Sequence, residues 1–323
     1  VKALHERGIA LLVVLWVLAI LTVTAFSFAV LTRAETYGTL AFREGVQQKY
    51  LAEAGIERGI LEIIYGSVNR GQTVTLEGRE IWRADGTPHS VVLGGGGYTV
   101  RVFDESGKIP LNALNDASGI ILKNLLLRRG VPPEEADAIV DAVLDWKDAD
   151  DLHRLHGAES DYYQSLAKPY RARNADFEAL EELILVRGVT PELLYGTGRT
   201  PGIIRFLTIH SGTSRINLAS APREVLLSLP GMDPEMADRL VAFRSSAVLR
   251  GQGELREILG AGYALMAPYV DLGPAGSSAV FSVEATGRPD GGEKGYSIVA
   301  TVAFDGPHRY RYEYYKSPAG ALP

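Results

Sequence analysis

A mostly apolar, uncharged run extends from Ile9 to Leu31, then thins into a helical stripe and gives way to strand-like alternation only later. The first run holds 23 residues and no charge. At 1.5 Å per residue a helix of this length is about 35 Å long, enough to cross a bilayer with some tilt. A secretory apolar core is shorter and ends in a small-residue cleavage site. Lys2 and Arg7 precede the run, which predicts a cytoplasmic N-terminus and puts everything after residue 33 across the membrane. From Arg33 to Tyr65 there is no proline, and Val46, Tyr50, Ala54, Leu61 and Ile64 recur at near-helical spacing between polar residues. A single helix over residues 9–65 is predicted, its first half in lipid and its second half amphipathic.

Residues 66–108 are turn-rich. Glu80-Ile81-Trp82-Arg83 is a weak strand signal. Gly94–Gly97 reads as a flexible loop, because a phosphate loop needs a preceding strand and a following Lys-Ser/Thr. Tyr98 to Phe103 alternates as a strand does. Residues 109–278 are mainly helical in pattern. Strand character returns over residues 279–323, with alternation at Phe281, Val283 and Ala285, then at Tyr296, Ile298, Ala300, Val302 and Phe304. After a turn at Asp305-Gly306-Pro307, Tyr310, Tyr312 and Tyr314 alternate with Arg309, Arg311 and Glu313, which predicts one solvated face. The expected fold class is α+β: a long N-terminal helix on a small antiparallel sheet, with a large all-α domain inserted between two strands.

Within the insert three segments echo one another: LLLRRGVPPEEADAIV (125–140), LILVRGVTPELL (183–194) and LLSLPGMDPEMADRLV (226–241). In each, glycine ends one helix and Pro-Glu opens the next, so each reads as a helical hairpin. Two carry similar lead-ins, IPLNALNDASG (109–119) and RINLASAPREV (215–225). Residues 216–244 also resemble a helix-hairpin-helix unit, whose glycines let backbone amides approach phosphate. A membrane-anchored DNA receptor is therefore the alternative reading. Asp233 replaces the second hairpin glycine, however, and Glu235 and Asp238 follow it. Residues 109–195 carry sixteen acidic and nine basic side chains.

Charge and composition narrow the choice. The net charge is −6, from 33 basic and 39 acidic residues, which argues against nucleic acid as a partner. Cysteine is absent, so disulfides, thiolate metal sites and a cysteine nucleophile are excluded. A membrane-anchored hydrolase using carboxylates lacks any Gly-x-Ser-x-Gly element, and no catalytic residue is assigned. Six carboxylates fall between Asp145 and Asp161. Clustered acids in a loop can supply the 6–8 oxygens that calcium takes, although no EF-hand spacing is present. The competing reading is a solvated acidic loop.

Arg7-Gly8 ahead of an uncharged run that continues as an amphipathic helix resembles a type IV pilin-like precursor. The resemblance sharpens over RGIALLVVLWVLAILTV (7–23), LAEAGIERGI (51–60), IPLNAL (109–114), DWKDADD and GAESDYY (145–163), and INLASAPREVLLSLPG (216–231). In that order they resemble the K-type minor pseudopilins of type II secretion, which implies a pilin fold whose inserted α-domain is two helical-hairpin, SAM-like units over about 109–200 and 201–278. The resemblance implies a leader at residues 1–8, cut by prepilin peptidase between Gly8 and Ile9, with methylation of the new terminus. The glutamate usual at the fifth mature position is Val13 here, which suits a subunit with no neighbour ahead of it. The same resemblance implies a non-enzymatic inner-membrane subunit with its bulk in the periplasm. It would sit at the pseudopilus tip beside minor pseudopilins of the I and J types. It also implies structural Ca²⁺, for which Asp148, Asp150, Asp151, Glu159 and Asp161 are the candidate ligands.

Overall fold

The computed structural model describes residues 2–69, 81–198, 200–211, 213–246, 249, 251–272, 279–292, 295–306 and 309–319, without the side chains of residues 2–9 and of Ser245 and Ser246. The long apolar-to-amphipathic pattern becomes one helix, α1 (Lys2–Val68). Its apolar half is long and apolar enough to cross a membrane, and none of that stretch is buried within the protein. Gly8 and Ile9 lie in this helix, where side chains are outside the described residues. Packing begins in the amphipathic half, where Leu51, Ala52, Ile56, Ile60 and Ile63 are buried. Gly59 lets the helix sit close to the sheet, because a Cβ there would stand 2.5 Å from a Val283 methyl.

The chain then forms β1 (His89–Val92) and β2 (Gly96–Asp104), an antiparallel hairpin. The four glycines are thus not a flexible loop. Gly94 and Gly95 make a tight turn closed by Leu93 N–H donating to the Gly96 carbonyl, and Gly96 and Gly97 already belong to β2. The weak strand signal at 80–83 does not mature: residues 81–83 are in no strand, and Glu80 is outside the described residues.

The insert runs through β3 (Ile109–Pro110), α2 (Gly119–Arg128), α3 (Pro133–Lys147), α4 (Ser160–Gln164), α5 (Pro191–Tyr195), β4 (Gly196–Thr197), β5 (Thr200–Pro201) and β6 (Leu207–Thr208). It continues through β7 (Ile216–Asn217), α6 (Arg223–Leu226), α7 (Pro234–Ser246), α8 (Gln252–Leu259), α9 (Gly262–Met266) and β8 (Val270–Asp271). The chain re-enters the sheet as β9 (Val280–Pro289), β10 (Tyr296–Phe304) and β11 (Tyr310–Lys316). The sheet order is β1-β2-β9-β10-β11, antiparallel throughout, so β2 and β9 pair directly across the insertion point. The turn residue Pro307 is outside the described residues.

The insert is helical but not purely so. Each lead-in begins with a two-residue strand that closes its segment in parallel: β3 pairs β6, and β7 pairs β8. The three hairpins behave as their glycines dictate. Gly130, Gly188 and Gly231 all take φ near +80°, a conformation costly for residues with a Cβ, and a proline opens the following helix each time. The second hairpin differs from expectation in its first arm, which is a 3₁₀ turn at Leu180–Leu185.

One hydrophobic core joins α1 to the sheet through Tyr98, Val100, Val102, Val283, Ile298 and Ala300; another fills the insert. The sheet's opposite face is polar and includes Ser282, Glu284, Thr286, Ser297 and Thr301. The insert covers part of it, with Arg205 donating to both oxygens of Glu284 at 3.1 and 2.5 Å. β11 departs from simple alternation. Thr301 pairs Tyr314 and Val302 pairs Tyr312, so Glu313 is an extra residue in a bulge. Tyr312 donates to Glu57 on α1, whereas Tyr314 donates to Glu181 in the insert. The predicted shared face of Tyr310, Tyr312 and Tyr314 is therefore corrected: the bulge turns Tyr314 away from its two predecessors.

Candidate metal centre

α3 runs to Lys147 behind Pro133, with Glu134 and Glu135 in its first turn, where they complement the helix dipole. At its other end the charge logic inverts. Asp145 lies in the last turn and Asp148 follows it, so two carboxylates gather where the helix already carries partial negative charge. Such an arrangement calls for a cation.

The loop after α3 folds back over these acids. Asp150 accepts from Leu152 N–H at 2.8 Å and shapes the turn. Arg154 then arrives over the cluster. Its Nη1 donates to Asp145 Oδ1 at 2.7 Å and to Asp148 Oδ2 at 2.6 Å, and its Nε donates to Asp116 Oδ1 at 2.9 Å. The Asp145 carboxylate also accepts from the Arg154 backbone N–H at 3.3–3.4 Å. Asp141 accepts from His156 N–H at 3.0 Å. Gly157 brings the backbone so close that a Cβ would stand 1.8 Å from Asp145 Oδ2. Glu159, just before α4, completes the group.

Asp145, Asp148 and Glu159 each contribute a carboxylate oxygen to a set lying within 4.8 Å of one another. Asp145 is wholly buried and Glu159 is 1% exposed. Neither Glu159 oxygen has a hydrogen-bond partner, nor does Asp148 Oδ1. Buried polar atoms without partners are costly, and buried carboxylates more so. Burial, then the charges of Asp145, Asp148 and Asp151, push the Glu159 carboxyl up to about 7. Burial also raises Asp145, against the opposing pull of Arg154. Burial alone would lower the Arg154 guanidinium, but its bonds to Asp148, Asp145 and Asp116 outweigh that and hold its proton more firmly.

This donor set fits a hard cation: carboxylate oxygens, close together, partly unsatisfied and next to a helix C-terminus. Of the five sequence candidates, Asp148 and Glu159 come together here. Asp150, Asp151 and Asp161 lie outside the close group: Asp151 accepts from Asn174 at 3.1 Å, and Asp161 pairs with His153 at 2.8 Å. Asp145 and Arg154 were not among those candidates. The signal for Asp145 is a carboxylate set in the otherwise apolar run Ala142-Val143-Leu144-Asp145-Trp146, all of it buried. Arg154 has no comparable sequence signal.

The hairpin that resembles a DNA-binding element spends its polar groups internally. Asp233 accepts from Met236 N–H at 2.7 Å, Arg223 pairs with Asp238 at 2.6 Å, and Arg244 is buried, donating to the carbonyls of Leu218 and Ala221. Nothing here favours the DNA-receptor reading.

Comparison with known proteins points elsewhere. Residues 107–196 match the family model "Type II secretion system (T2SS), protein K". Among curated proteins, the chain is 26% identical over 201 residues to "Putative type II secretion system protein K" of Escherichia coli (strain K12), a match covering 58% of this chain and 60% of that protein. It is 29% identical over 205 residues to "Type II secretion system protein K" of Pectobacterium carotovorum subsp. carotovorum, covering 58% and 60%. It is also 29% identical to the protein of that name from Aeromonas hydrophila, covering 58% and 61%. The chain thus spans about three-fifths of the length of the curated relatives it matches. In fold it is similar to a chain in the crystal structure of the GspK-GspI-GspJ complex from the enterotoxigenic Escherichia coli Type 2 Secretion System. That match has a TM-score of 0.53 and 16% identity, covering 88% of this chain and 98% of that one.

Proposed function

We propose, from the match of residues 107–196 to the type II secretion system protein K model and from the similar curated proteins, that this chain is a minor pseudopilin acting at the tip of a periplasmic pseudopilus. The observation that carries the reading is the insertion point. A family-matched helical block is spliced between β2 and β9 of a sheet that packs on one long, apolar-ended helix. The helix stores the subunit in the inner membrane and then packs beside partner helices in a filament. Prepilin peptidase cuts between Gly8 and Ile9, and methylation follows. The insert, as two helical-hairpin units over about 109–200 and 201–278, adds bulk that leaves no room for a further subunit above it. The role is mechanical: assembly, not catalysis. Minor pseudopilins of the I and J types are the partners.

The cation reading belongs to the same proposal. Asp145, Asp148 and Glu159 would hold Ca²⁺, with Asp150, Asp151 and Asp161 nearby in the same acidic segment. Bound calcium would supply charge neutralisation at the end of α3.

Two measurements test the proposal. Intact-terminus mass spectrometry, with and without a prepilin peptidase, should show a peptidase-dependent terminus at Ile9; an uncut chain in both conditions counts against a pilin-like precursor. Deleting residues 109–278 should alter filament initiation or length while membrane insertion persists. Unchanged secretion by that deletion would remove the tip role.

A further inference from the structure

Arg154 is the one basic side chain among the described residues that bonds both Asp145 and Asp148, and it does so through a single nitrogen. Nη1 lies 2.7 Å from Asp145 Oδ1 and 2.6 Å from Asp148 Oδ2. A calcium ion bound to those two oxygens would sit 2.3–2.6 Å from each, in the space the nitrogen fills. At those two oxygens the two cations therefore exclude one another. We propose that the Arg154 guanidinium is the resident counter-cation of the cluster, and that a divalent ion binds Asp145, Asp148 and Glu159 only by displacing it. This rests on the cation-site reading above.

Three features make the exchange workable. Glu159 accepts nothing from Arg154, and both its oxygens are buried without partners, so a single positive charge leaves the third carboxylate uncompensated. A divalent ion answers that deficit. Arg154 also has somewhere to go: its side chain is 26% exposed, and its Nε already bonds Asp116, whose side chain is 80% exposed. Swinging outward keeps the Asp116 partner and returns the guanidinium to water. Finally, Arg154 stands between Leu152 and Leu155, which are 75% and 88% exposed. Release of the guanidinium removes its two bonds to Asp145 and Asp148, so cation binding resets the loop that presents both leucines.

The test is calcium titration calorimetry on the full chain in detergent micelles, wild type against Arg154→Met. Losing the competing charge should tighten Ca²⁺ binding by about tenfold or more. Arg154→Lys keeps the charge but gives up the second nitrogen that ties the guanidinium to Asp116, so it should tighten binding by a smaller factor. Amide hydrogen exchange over residues 150–157 gives a second readout: calcium should raise it in the wild type, and Arg154→Met should show it raised beforehand. Equal or weaker binding by Arg154→Met overturns the exchange, while wild-type binding leaves the metal site standing. Binding by neither protein overturns both readings. Binding by the variant alone supports the resident guanidinium and removes calcium from the native chain. Should Arg154→Met fail to fold, Arg154→Lys decides, unchanged or weaker binding being the adverse result.

Discussion

Glu105 and Lys108 form an ion pair 2.5 Å long with side chains only 2% and 7% exposed. It sits where β2 leaves the sheet for the insert, in a 3₁₀ turn at Glu105–Gly107. Ser282 on β9 and Thr208 on β6, like Lys108, favour the charged form of the Glu105 carboxyl, so one group senses both sheet and insert. Burial alone would raise its pKa. The Lys108 charge and the hydrogen bonds outweigh burial and hold it below the ordinary 4.5. The folded chain thus binds this proton less tightly than the unfolded chain. Its stabilising contribution is complete above about pH 4.5 and is lost as pH falls through the lower folded value. Urea unfolding at a series of pH values should show an acid limb that flattens in Glu105→Gln. Lys108→Met, which strands the carboxylate, should cost about 3–5 kcal/mol at neutral pH. An acid limb unchanged in Glu105→Gln would separate this pair from the pH dependence.

A second fastening holds the insert against the polar face of the sheet. Arg205 and Glu284 are bonded through two parallel contacts, with side chains 12% and 10% exposed. Fork-to-fork geometry and burial make such a pair expensive to halve. Arg205→Ala should cost about 3 kcal/mol by denaturant unfolding. The double variant Arg205→Ala, Glu284→Ala should recover part of that loss. Additive losses in this cycle would mean that the two side chains act independently.

The bulge at Glu313 predicts unequal tyrosines. Tyr314 donates to Glu181, and Lys316 lies 3.5 Å from the same carboxylate, so this strand end is stitched to the insert. Tyr312 donates to Glu57 on the long helix at 3.2 Å. Both acceptors are carboxylates, so each Tyr→Phe change should cost about 1–3 kcal/mol, with the shorter 2.5 Å bond favouring the larger loss at Tyr314. Hydrogen exchange should then divide them: Tyr314→Phe loosens residues 180–185, and Tyr312→Phe does not.

What the chain order revealed, and what it hid, follows from the range of the interactions. The helix, strands β2, β9 and β10, and the hairpin glycines are local properties: apolar spacing, a positive φ, a proline at the start of a helix. They were legible from residue patterns alone. The β1–β2 hairpin was missed because Gly96 and Gly97 carry no side-chain alternation, yet each stands where a Cβ would strike backbone of the neighbouring strand. The bulge is hidden because Tyr310 to Tyr314 alternate without a break in sequence, and only the register of β11 against β10 reveals the extra residue. At the acidic cluster the residue types were evident, but the choice among them was not. Asp145 joins Asp148 and Glu159 because the loop closes over the end of α3, with Arg154 drawn in from nine residues along. Spacing cannot show which way a loop folds back.

Gly157 is the geometric condition for that closure. A Cβ at this position would lie 1.8 Å from Asp145 Oδ2, against a carboxylate that is wholly buried and held by Arg154. Neither side can yield without breaking the cluster. Gly157→Ala should therefore cost about 1–3 kcal/mol, as overpacking does, and lower the melting temperature. Gly130→Ala makes the useful contrast: no atom lies within 4 Å of its would-be Cβ, so its cost comes from φ of +82° alone. A smaller loss at Gly157 than at Gly130 would show that the loop is not seated on Asp145.

If calcium binds the folded cluster and not the unfolded chain, linkage fixes the size of the effect. At a free concentration one hundred times the dissociation constant, stabilisation is about 2.7 kcal/mol. Thermal unfolding of the full chain should rise with added calcium and fall back on chelation. Glu159→Gln is the sharpest control. It removes the charge whose two oxygens are buried and unpartnered, so it relieves a cost in the metal-free protein while deleting a ligand. The variant should melt higher than wild type in chelator and gain little from calcium. Asp150→Asn removes a carboxylate outside the close group and should keep most of the calcium response. A Glu159→Gln protein that responds to calcium as fully as the wild type would place any bound ion elsewhere on the chain.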